Sequence, residues 1–149
     1  MLRLAVIFSF LFVIGQTYAQ STPLHLSVQN ITLSGGSVLI SVYDREEYFM
    51  DEAHQVYGVV IPVQEKGTLQ IDIPDLVFGR YAIAVFHDEN NNGSLDKNFL
   101  GIPKEPYAFS NNPRVKWSPP GFSETVFDFS PAQPAVQVKL QYWKNMNKQ

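Results

Sequence analysis

Residues 81–105 read YAIAVFHDENNNGSLDKNFLGIPKE, an apolar strand that empties into an acidic, Asn-rich loop. In residues 81–87 both faces of an extended chain are apolar, with Tyr81, Ile83 and Val85 on one and Ala82, Ala84 and Phe86 on the other. A segment covered on both faces belongs in the middle of a sheet, and its small alanines call for a second layer close by. The rest of the chain is read outward from this strand.

Just upstream, Leu69, Ile71 and Ile73 alternate with Thr68, Gln70 and Asp72, the period of a half-buried strand. Leu24, Leu26 and Val28 alternate in the same way with His25, Ser27 and Gln29, which puts His25 on the wet side. Val38, Ile40 and Val42 share a face of a β-branched strand that follows the turn signal Ser34-Gly35-Gly36, and the two strands around that turn predict a hairpin. Residues 56–63 are apolar enough for a strand, but Gly58 and Pro62 assign them to an edge. Residues 44–55 lack any two-residue period, and their conformation stays open between a short helix and a loop.

Downstream of the acidic loop, residues 100–120 hold five of the ten prolines, with Tyr107, Phe109 and Trp117 among them. Proline supplies no donor to a ladder, so this stretch reads as a long ordered loop whose aromatics need cover. Phe127 and Phe129 flank Asp128 in a short strand, and Val136, Val138, Leu140 and Tyr142 alternate with polar residues in the last one. Short strands with turns between them and little helix predict an all-β fold, an antiparallel β-sandwich of about seven strands. A small closed barrel is the other architecture that the pattern allows.

The N-terminus has a separate logic. Arg3 precedes an apolar run over residues 4–14, broken only by Ser9, and Thr17-Tyr18-Ala19 ends it with small residues. These are the parts of a secretory leader, and the run is shorter than the roughly 20 residues that span a bilayer. The expected organisation is a leader over 1–19 cleaved after Ala19, one domain over 20–143 and a polar tail over 144–149, exported to the periplasm or beyond. With no Cys, a disulfide framework, a lipid-modified cysteine and a thiol nucleophile are excluded. The formal charge of −3 becomes −4 once Arg3 is removed with the leader, which argues against a nucleic-acid partner.

The loop carries the chemistry. Taking Asp88 as position 1 of a calcium loop puts Asn90 at 3, Asn92 at 5, Gly93 at 6, the Ser94 carbonyl at 7 and Asp96 at 9. Position 12, where a bidentate Glu belongs, is Phe99, and Glu105 is the residue that would fold back to replace it; Glu89 is a poorer candidate. Oxygen ligands favour calcium over softer ions, held weakly, with dissociation constants on the order of 10⁻⁴ to 10⁻³ M. The competing reading is a metal-free loop in which Asn and Asp side chains bond their own backbone.

The run His87-Asp88-Glu89-Asn90 with Asn92-Gly93, then Gly101-Ile102-Pro103-Lys104-Glu105 and Phe109-Ser110-Asn111-Asn112, resembles the secreted bacterial family known as domain of unknown function 2141. That resemblance implies a β fold and export, and brings no activity with it. More loosely, Asp75-Leu76 and Gly79 leading into Tyr81 resemble prealbumin-like sandwich modules of bacterial surface proteins, an immunoglobulin-like arrangement in which some members carry acidic calcium loops. The expected role is a non-enzymatic binding or structural module, with a glycan or peptide as possible ligand for aromatics between Tyr107 and Phe122. The alternative is a hydrolase using His87 with Asp88 or Glu105. No catalytic residue is assigned, because no G-x-S-x-G or H-E-x-x-H motif is present.

Overall fold

The computed structural model describes residues 22–115 and 118–146, so the expected leader over 1–19 and Trp117 lie outside the described residues. Eight strands fall into two sheets. β1 (Leu24–Ile31), β4 (Gly67–Ile73) and β8 (Ala135–Lys139) form a three-stranded sheet in the order β4-β1-β8. β2 (Ser37–Tyr43), β3 (Tyr57–Pro62), β5 (Gly79–Asp88) and β6 (Tyr107–Phe109) form the other in the order β3-β2-β5-β6, and β7 (Phe127–Phe129) joins it beside β5. Two helical turns, α1 (Phe122–Thr125) and α2 (Trp143–Met146), complete the elements, with 3₁₀ turns at Glu46–Tyr48 and Glu52–His54 in the segment left open by its sequence. Among the described residues no helix is long and apolar enough to cross a membrane.

The all-β expectation holds, and β5 is the central strand. One edge of it pairs with β2, with Ile40 opposite Val85, while its other edge is shared by β6, with Ala84 opposite Phe109, and β7, with Tyr81 opposite Phe127. Its inward face carries Tyr81, Ile83 and Val85 into a core that also takes Leu24, Leu26 and Val28 from β1 and Val138 from β8, so both sheets drain into one apolar cluster. On its other face Ala84 and Phe86 meet a smaller cluster of Tyr107, Phe109 and Val115, with Phe49 and Trp143 against it. Phe49 lies 5.6 Å from Tyr43 and 5.8 Å from Phe122, ring centre to ring centre. Ala84 is small where this aromatic layer sits on it.

Three expectations need correction. β1 and β2 are not a hairpin: β1 pairs with β4 and β8, β2 with β3 and β5, and the chain between them crosses from one sheet to the other. Alternation reports which face is buried, and both strands do bury Leu24, Leu26, Val28 and Val38, Ile40, Val42, but from opposite sides of one core. The sheets are not wholly antiparallel, because β1 and β8 run parallel with Leu26 beside Val136. The proline-rich stretch also contains a strand: β6 fits between Pro106 and Pro113 as a short outer strand, with Tyr107 exchanging backbone hydrogen bonds with Gln141. The strands form two sheets rather than one closed barrel. The polar tail begins as the helical turn α2, where Trp143 packs on the aromatic cluster.

Candidate functional site

β5 delivers Asp88 to the sheet end as a buried carboxylate. Its Oδ1 accepts the Asn92 N–H at 3.1 Å and its Oδ2 the Gly93 N–H at 2.7 Å, so the loop folds back on the residue that opens it. Asn91 and Gly93 take positive φ of 57° and 79°, the left-handed conformations that let these N–H groups turn inward. Asn90 Oδ1 also accepts the Asn92 N–H, at 3.1 Å, and Asn92 Oδ1 accepts the Ser94 N–H at 2.8 Å. The Ser37 hydroxyl donates to Asn91 Oδ1 at 2.8 Å and ties the loop to β2.

The side chains of the loop meet at Asp96. Asn90 donates an amide N–H to Asp96 Oδ2 at 2.8 Å, and Asn92 donates to Asp96 Oδ1 at 2.9 Å. Glu105, buried and nine residues downstream, accepts the Asp96 N–H on Oε2 at 3.0 Å and the Glu89 N–H on Oε1 at 2.9 Å. The expected fold-back of Glu105 is therefore present, and its carboxylate clamps both ends of the loop. The return is made by a tight excursion in which Asn98 Oδ1 accepts the N–H groups of Leu100 and Ile102, and the Lys104 N–H reaches the Asp96 carbonyl. Phe99, at the twelfth position, is 94% exposed and touches none of this.

Asp88, Asn90, Asn92, Asp96 and Glu105 are thus joined in one hydrogen-bonded network, with Ser94 held through its N–H. Among the described residues no three His, Asp or Glu side chains are grouped to hold a metal ion by themselves. A cation here would need the carboxamide oxygens and a backbone carbonyl to fill its shell. Glu89 turns away, as expected, and its carboxylate receives the Tyr142 hydroxyl. Burial and that neighbouring carboxylate raise the Tyr142 pKa above its ordinary value.

His87 is buried, with Nε2 at 2.8 Å from the Gly35 carbonyl, which makes Nε2 the protonated nitrogen, and with Nδ1 lacking a partner. Gly36 explains the closeness of that turn: a side chain there would meet the Asp88 carbonyl at 2.3 Å. Tyr107 and Phe109 are buried beneath the loop's return arm, and burial pushes the Tyr107 phenol up to about 12. Their need for cover was legible; their neighbours were not. Residues 109–112 turn out to be structural: Ser110 Oγ accepts the Ile83 N–H, Asn111 donates to the Val126 carbonyl, and Asn112 binds the Gln137 carbonyl and the Lys139 N–H. Asn98 was missed, and the signal for it is its place three residues before Gly101 in a tight return.

Comparison with known proteins bears on this geometry in one way. A family model described as an uncharacterized protein conserved in bacteria, DUF2141, matches residues 26–137, a span that includes the whole loop and its supports. No curated protein and no solved structure matches the chain.

Proposed function

The chain belongs to the DUF2141 family, and on that premise we propose that it is an exported, non-enzymatic binding or structural module whose loop over residues 88–105 is stiffened by a weakly held calcium ion. The supporting observation is the convergence of the Asn90 and Asn92 amides on the Asp96 carboxylate, with the Asp96 N–H held by the Glu105 carboxylate and the Asn92 and Gly93 N–H groups by Asp88. Calcium would replace those two amide contacts, with the amides turning their oxygens inward, the Ser94 carbonyl adding to the shell and the carboxylates supplying charge. The Glu105 oxygens each accept one N–H and keep lone-pair capacity for an ion. The reading also takes the two sheets as a prealbumin-like sandwich, and export as following from Arg3, the apolar run and Ala19.

The hydrogen bonds in the loop also favour a second reading, a metal-free loop closed by its own Asx turns. The hydrolase alternative has less behind it, since His87 is buried and already bonded to Gly35. Thermal unfolding in calcium and in EDTA separates the first two. At ten times its dissociation constant calcium should add about 1.4 kcal/mol and raise the midpoint by a few degrees. An unchanged midpoint at ten times a millimolar constant, about 10 mM calcium, would leave the metal-free loop as the reading.

A further inference from the structure

The return arm of the loop does more than close it. Between residues 95–103, the aromatic cluster, Ser118 and Pro119 lies a hollow of about 370 Å³, walled by Leu95, Ile102, Tyr107, Phe109, Val115 and Trp143. Its size falls within the roughly 300–1,000 Å³ of small-molecule sites, and its lining is mainly apolar, as such sites are. Leu100, 67% exposed, stands at the rim beside the exposed Phe99, so the apolar surface continues outward from the hollow.

Lys97 is the charged residue of the lining, and Lys104, Arg114 and Lys144 are chain neighbours of Pro103, Val115 and Trp143, which also line it. All four cations are exposed, and among the described residues none has a carboxylate within salt-bridge distance. Of the two acids next in sequence to lining residues, Asp96 accepts from the Asn90 and Asn92 amides, and Asp51 bonds Ala53 and His54. Among the described residues that line the hollow, Lys97 is the charged one and no carboxylate is present.

We propose that this hollow binds a small anionic amphiphile, an organic carboxylate with an aliphatic body, seated with its body against Phe109 and Trp143 and its carboxylate toward Lys97. The apolar walls supply most of the affinity by removing the body from water, while Lys97 selects the sign of the head group. The inference deepens the reading of a binding module and rests on it, but the walls stand without a cation in the loop.

Titration calorimetry with monomeric dodecanoate, run in calcium and again in EDTA, tests it. Saturable one-to-one binding is expected in both, roughly fivefold tighter than dodecyltrimethylammonium, since one exposed charge is worth at most about 1 kcal/mol. Lys97→Glu should weaken dodecanoate by roughly fivefold, and Leu100→Asp should weaken it too; both positions are exposed, so the variants will fold. Lys66→Glu, outside the lining, should change nothing. No binding in either buffer overturns the proposal, and so does equal affinity for the two head groups. Uptake only above the micelle-forming concentration or only on anionic vesicles also overturns it, as does a dimer whose hollow excludes dodecanoate. Calcium heats from the same protein keep the loop reading separate: dodecanoate binding without calcium heat sinks that reading alone.

Discussion

β5 and the loop that leaves it adjoin in sequence but are held by different forces. The strand is fixed by apolar burial, with Ile83 and Val85 in the shared core and β2, β6 and β7 along its edges. The loop places Phe99 and Leu100 in solvent and is fixed by carboxylate and carboxamide oxygens that accept backbone N–H groups. Burial is non-directional and tolerates repacking, whereas each loop contact depends on one atom. The sheet should therefore fail by volume and the loop by chemistry.

Ile83→Ala should give the largest loss, about 2–5 kcal/mol in urea unfolding, because it opens a cavity at a fully buried central position. A loss below about 1 kcal/mol would mean that the two sheets do not share a tight core. Glu105→Gln keeps the size of the side chain but gives up one of two charged acceptors for buried N–H groups, at a cost of about 1–3 kcal/mol. If the loop obeyed the rules of the sheet, this near-isosteric change would be silent. Asn98→Ala removes the acceptor for Leu100 and Ile102 and should cost about 1 kcal/mol, visible also as faster amide exchange at those two residues. Phe99→Ser, an apolar loss as large in area as many core changes, should stay within about 0.5 kcal/mol. A larger effect would show that the loop tip belongs to the core after all.

The same contrast explains what the sequence made legible. Two-residue alternation identified the strands and the buried faces of β1, β2 and β4, because a strand with one wet face must alternate. It could not report pairing, since Leu26 and Ile40 would look the same in one sheet or in two; the crossing between β1 and β2 and the parallel β1–β8 pair were lost there. β6 was hidden because three residues between prolines are too few to show a period. In the loop, the spacing from Asp88 to Asp96 and the return through Gly101 and Pro103 brought Glu105 to the right place. Asn98 and the hollow behind Leu95 were invisible, because one depends on a single Asx turn and the other on surfaces from three distant segments.

Calorimetric titration of calcium into the protein tests the central claim most directly. The account predicts one ion per chain with a dissociation constant on the order of 10⁻⁴ to 10⁻³ M. Asp88→Ala should abolish the heat, Asp96→Ala and Glu105→Ala should weaken binding to a similar degree, and Glu89→Ala, whose carboxylate faces Tyr142, should leave it nearly intact. No heat from the parent titrated to about 10 mM calcium, ten times the weakest constant expected, or heat that survives Asp88→Ala, would contradict it.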